Sequence, residues 1–167
     1  MTNLPPKKQH LLTVLVEDYF HVGAFENLIQ QRNWTNFEPR YERNTIKTLD
    51  LLDEFAEHTY VSLELGVQTI HDSSLDWMNR GHHHDAAVDA MQRVAGRKFE
   101  TSLHIMLGLP GETHDMMMAT AEQVTRWNPA AVKIHNLYAV ERTELADQVR
   151  SGQVRMLDLD EYLELLA

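Results

Sequence analysis

The stretch His104–Thr113, HIMLGLPGET, constrains the chain most. An apolar run from Ile105 to Leu107, with Leu109 beyond, reads as a short buried strand. Gly108, Pro110 and Gly111 break it, and Glu112 and Thr113 open a helix over MMMATAEQV. A buried strand, a glycine-rich turn and a helix N-terminus make half of a βα unit. Such a turn lets backbone N–H groups approach a ligand closely, and the helix dipole adds positive potential there. The alternative is a tight βα turn whose glycines serve the backbone alone.

The same rhythm extends in both directions. Leu11–Val16, LLTVLV, is apolar and β-rich and predicts a strand with Glu17 and Asp18 at its C-terminal end. Within Tyr19–Trp34, the spacing of Phe25, Leu28 and Ile29 predicts a short amphipathic helix. Tyr41–His58 carries Ile46, Leu49, Leu52, Phe55 and Ala56 at helical spacing. From Tyr60 onward, strand and helix alternate: a strand at Tyr60–Leu65, helices at His71–Asn79 and Asp85–Arg97, and a strand at Phe99–Leu107. A helix at Met116–Trp127, a strand at Ala131–His135 and helices at Thr143–Val149 and Leu159–Leu166 follow. That order implies parallel strands with right-handed crossovers. The expected fold is α/β, an incomplete (β/α) barrel-like array of about four mostly parallel strands with flanking helices.

Composition excludes several partners. A net charge of −10 argues against a nucleic-acid backbone. No apolar run approaches the roughly 18–20 residues of a membrane span, and the opening MTNLPPKKQH lacks a signal peptide's apolar core, so a cytoplasmic location is expected. The 167 residues contain no cysteine, which removes disulfides, thiolate catalysis and Cys-ligated metal from the chain's own chemistry.

Four motifs carry a resemblance: YVSLELGVQT (60–69), SLDWMNRGHHHDAAVDAMQR (74–93), HIMLGLPGET (104–113) and VKIHNLYAVERTELADQV (132–149). Through them residues ~49–166 resemble the C-terminal part of a radical S-adenosylmethionine (SAM) family of the YhcC type, similar to the radical domain of the Elongator catalytic subunit. The resemblance implies a partial barrel that binds SAM beside a [4Fe–4S] cluster held by three thiolates. It places Glu64 and Gln68 near the cofactor's ribose and carboxylate, and Gly108, Pro110, Gly111 and Glu112 beside the adenine. His135, with Asn136, then faces the same mouth. Each of these also has a structural reading, as strand-end polar groups that hydrogen-bond the turns. The cluster cannot be ligated by this chain in the usual way.

The first part resembles something else. LLTVLVEDYFHVGAFENLI (11–29), Trp34 and RYERNTIKTLDLLDEF (40–55) are similar to the start of an exopolysaccharide- or exosortase-associated polysaccharide deacetylase. That resemblance makes Asp18 a metal ligand, against a plain strand end or helix cap. The position of the catalytic base is Leu15, which cannot take a proton from water. His82, His83 and His84 offer a replacement for the later metal-binding histidine pair, yet they match the radical SAM family's own N-R-G-H segment, and three consecutive histidines diverge from one another.

Together the two resemblances describe a chimera, with residues 1–58 a deacetylase-like βα segment and 59–167 a radical SAM-type partial barrel. The expected function is a radical SAM-derived protein that is catalytically incomplete. The alternatives are a non-catalytic scaffold or oligomeric binding module, and a remnant metal-dependent deacetylase. The open sheet edges of an unclosed barrel predict homo-oligomers.

Overall fold

The structure, a computed structural model, describes residues 27–166. The expected strand at Leu11–Val16, with Glu17 and Asp18, therefore lies outside the described residues. The chain divides into two compact units, Met1–Glu54 and Phe55–Ala167.

In the first unit a short 3₁₀ helix, Gln31–Asn36, is followed by α1 (Tyr41–Ala56). Of the expected amphipathic helix, most, Phe25 included, lies outside the described residues; residues 27–29 form a turn and bend, with Leu28 exposed.

The second unit is the α/β array. Its elements are β1 (Ser62–Gln68), α2 (Asp72–Trp77), α3 (His84–Val94), β2 (Glu100–Leu107), α4 (His114–Trp127), β3 (Ala131–Asn136), α5 (Glu144–Arg150) and α6 (Leu159–Leu166). The three strands are parallel in the order β1-β2-β3. Leu65 lies beside Leu103, His104 beside Lys133, and Met106 beside His135. Because side chains alternate along a strand, this register sorts residues by parity. Val67, Leu103 and Ile105 pack with Val124 of α4, and Ala87 and Met91 of α3 close over them. The polar residues between them are left to the opposite face.

Local chemistry explains the element ends. The Thr113 hydroxyl accepts the Met116 N–H and caps α4, so this helix begins at His114, two residues before its apolar pattern does. Asn128, left-handed at φ 50°, ends α4 just before Pro129. Gly96, at φ +75°, stops α3 short of Arg97. The N-terminus of α3 has no cap of its own; the Asp72 carboxylate, from α2, accepts the His84 N–H at 2.9 Å.

Gly108 is doubly required. Its φ is +77°, and a Cβ there would sit 2.6 Å from Leu157 Cδ1. We expect Gly108→Ala to destabilise the protein by roughly 2–5 kcal/mol, combining left-handed strain with overpacking. Measured by urea unfolding in a Leu157→Ala background, the same change should cost only about 1–2 kcal/mol, the strain alone.

Candidate functional site

Parallel sheets are normally covered on both faces. Here the face opposite the helices carries Ser62, Glu64 and Gly66 of β1, Ser102, His104 and Met106 of β2, and Lys133 and His135 of β3. A charged network occupies it. His104 Nε2 lies 2.9 Å from Glu64 Oε2, and Lys133 Nζ reaches across β2 to both Glu64 oxygens, at 2.9 and 3.1 Å. His135 Nε2 lies 3.1 Å from His104 Nδ1. From Glu64 to His104 to His135 the contacts run diagonally: each step to the next strand also advances two residues toward the C-terminal ends. The ammonium of Lys133, first, and the imidazole of His104, second, hold the Glu64 carboxyl below its ordinary value of 4.5.

At the C-terminal end of β1 the register slips between Gly66 and Gln68, and Gln68 adopts a left-handed φ of 66°. A bulge of this kind re-aims a side chain. The Gln68 amide folds back over Gly66, so close that a Cβ on Gly66 would stand 2.8 Å from its Nε2. Arg80 Nη2 donates to the Gly66 carbonyl from the same neighbourhood, at 2.8 Å.

The turn after β2 divides its labour. Leu109 is buried, Pro110 is half-buried, and Gly111 is exposed at φ +85° with open space where a Cβ would go. Glu112 turns inward, where its carboxylate accepts the Thr69 hydroxyl at 2.6 Å. Thr69 is buried and also accepts the His71 N–H. Glu112 thus ties the turn after β2 to the turn after β1.

Of the residues singled out in the sequence, Glu64 and His135 meet in one network, and Gln68 lies by Gly66 next along the β1 strand from Glu64. Gly108 sits beneath Leu157, Glu112 is engaged with Thr69, and Asp18 lies outside the described residues. His104, which links Glu64 to His135, and Lys133 were not singled out. Their signal was the alternation in SLHIML and VKIH, where polar residues recur at every second position.

The three consecutive histidines do diverge. His83 Nε2 pairs with Asp76 at 2.8 Å, which raises its pKa above 6.5, and the His84 ring packs against Trp127. Among the described residues, no group of three or more His, Cys, Asp or Glu side chains is placed to hold a metal ion. No helix among them is long and apolar enough to cross a membrane. A cavity of about 490 Å³ lies at the opposite end of the sheet, lined by Met91, Phe99, Thr101, Trp127 and Ala130. Ligands of parallel α/β folds sit at the C-terminal ends of the strands, so the polar network is the better site.

A parallel sheet with helices on one face and a charged network on the other is the wall of a (β/α) barrel, its polar side the lumen. The chain belongs to the Radical SAM superfamily, which matches residues 11–124, and a Radical SAM C-terminal domain matches residues 129–167. It is 34% identical over 118 residues to the uncharacterised protein YtqA of Bacillus subtilis, covering 71% of this chain and 37% of that protein. It is also 34% identical over 115 residues to YhcC of Escherichia coli, covering 68% of this chain and 37% of that one. A tRNA uridine(34) acetyltransferase of Methanocaldococcus jannaschii is 29% identical over 63% of this chain and 20% of its own length. The chain therefore spans little more than a third of the length of YtqA and of YhcC.

The solved structure of Elp3 from Methanocaldococcus infernus superimposes with a TM-score of 0.60 at 25% identity, over 70% of this chain and 28% of that one. HemN, the coproporphyrinogen III oxidase of Escherichia coli, shares the fold with a TM-score of 0.52 at 23% identity, over 71% of this chain and 27% of that one. The superfamily match begins at residue 11 and runs through the segment that resembles a deacetylase; that resemblance, and the reading of a chimera with it, is unsupported.

The network predicts an acid-side stability effect. A carboxylate whose folded pKa is depressed contributes stability that is present above the unfolded pKa and lost as pH falls through the folded one. Followed by carboxyl NMR, Glu64 should therefore stay ionised below pH 4.5 in the folded protein, and Lys133→Met should move its titration back toward that value.

Proposed function

We propose that this chain is a catalytically incomplete radical SAM-family barrel segment, whose polar face and strand-end turns form a remnant binding surface for an adenosyl compound. Full-length members of the superfamily use SAM with a [4Fe–4S] cluster. Bound at such a cluster, SAM supplies an organic radical. The residues of this chain do not fit the cluster: three thiolates are needed and the sequence has no cysteine. That observation carries the proposal.

The surface itself has groups suited to the rest of the cofactor. Glu64 is an ionised, half-exposed acceptor for hydroxyl or ammonium groups. Gln68 offers an amide held by a strained backbone, and such strain concentrates at binding sites. Gly111 leaves open space beside the turn between β2 and α4. His135 closes the row from β3. Glu112 acts by fixing this turn to Thr69 rather than by touching the ligand.

Calorimetric titration with SAM, S-adenosylhomocysteine and zinc tests the reading. Both adenosyl compounds should bind, and with similar affinity, because no iron chelates the methionine portion of one and not the other. Glu64→Ala should weaken both by roughly tenfold, the worth of a charge-assisted hydrogen bond. Silence toward both, in a protein that sediments as a dimer, would instead favour the scaffold reading, which rests on the open edges of β1 and β3 among the described residues. Zinc binding alone would favour a metal site at Asp18.

A further inference from the structure

The Glu64–His104–His135 row has a direction built into it. Glu64 is a carboxylate and only accepts, so the hydrogen in the 2.9 Å contact belongs to His104 Nε2. In a neutral ring the other nitrogen is then bare, so His104 Nδ1 accepts and the hydrogen in the 3.1 Å contact belongs to His135 Nε2. His135 Nδ1 is left with its lone pair and has no protein partner among the described residues. The two rings lie 5.0 Å apart between centroids and are tilted by 41°, so the contact is edge-on rather than stacked. His135 is the penultimate residue of β3, at the strand end where ligands approach.

We propose that Glu64, His104 and His135 form a proton relay that makes His135 Nδ1 a proton-accepting site for a small polar ligand bearing a hydroxyl or ammonium group. A proton leaving the ligand's O–H or N–H forms a new N–H bond at His135 Nδ1. The hydrogen on His135 Nε2 passes to His104 Nδ1, breaking one N–H bond and forming another. His135 ends neutral, as the Nδ1–H tautomer. The positive charge rests on His104, in contact with the Glu64 carboxylate, and the ligand keeps its electron pair. Glu64 and His104 are positioning residues here; His135 is the one that touches the ligand.

Among the described residues, the other cations facing the row are Lys133, which shares the Glu64 carboxylate, and Arg80, which donates to the carbonyl of Gly66 beside His104. The relay depends on strand register and not on the adenosyl reading, so the two fail separately.

The test is ¹⁵N NMR of the full chain labelled at histidine, with ring tautomers read from about pH 8 to about pH 5, the range in which histidines change charge. In the protein alone, His135 should change from the Nε2–H to the Nδ1–H tautomer as the pair takes up its first proton, while His104 becomes the imidazolium. Lys133→Met, which leaves Glu64 and both imidazoles in place, should retain the switch. Glu64→Ala should abolish it, leaving the charge on His135. Far-UV circular dichroism checks that both variants keep the fold, and the unmodified protein already gives a decisive reading on its own. A His135 that keeps Nε2–H until it becomes an imidazolium, or two rings that titrate independently and alike with and without Glu64, would overturn the relay.

Discussion

Everything in the α/β unit depends on the parallel register of three strands. With Leu65 beside Leu103 and His104 beside Lys133, Leu103, Ile105 and Leu107 of β2 point to the helices, and Ser102 and His104 point away. The burial of Leu103 and Ile105 against Val124 is the favourable term that holds this arrangement. A slip of one residue would carry His104 into the helix-covered core and Leu103 into the open. The charged row on the far face is thus a by-product of burying the near one. It costs little because Glu64, His104 and Lys133 satisfy one another.

Family membership and the missing cysteines fit together in the same geometry. The wall present here is the parallel sheet of a partial barrel, with acceptors and donors along its polar face. Cluster ligation is a separate chemistry, and it needs thiolates that no residue of this chain offers. What this wall can do alone is hold polar groups in fixed positions and, through a chain of two imidazoles and a carboxylate, place a lone pair at its outer end.

The fold was largely readable before any coordinates. LHIMLGLPGET announces a strand, a turn and a helix because apolar residues, glycines and a threonine cap each have one physical use there, and Thr113 caps α4 as its position suggests. Periodicity located β2, β3 and α6 to within a residue at each end. The bulge that carries β1 on to Gln68 was not readable, since a left-handed glutamine has no composition signal. Glu64 and His135 came forward through the family resemblance, not through a pattern in their own strands. His104 and Lys133 are polar residues of the same strands, and only a register shows that they meet the other two. Glu112 looked like a ligand contact, and its inward turn to Thr69 depends on a partner 43 residues away.

The register is therefore the thing to measure. The absence of native cysteines makes a pair of introduced ones an unambiguous probe. Ser62 Oγ and Ser102 Oγ lie 3.3 Å apart on the polar face, close enough for a disulfide, while Thr101 points to the other side. Under mild oxidation, Ser62→Cys/Ser102→Cys should crosslink within one chain, and Ser62→Cys/Thr101→Cys should not. Crosslinking of the Thr101 pair in preference to the Ser102 pair would place the strands one residue out of step and remove the charged row altogether.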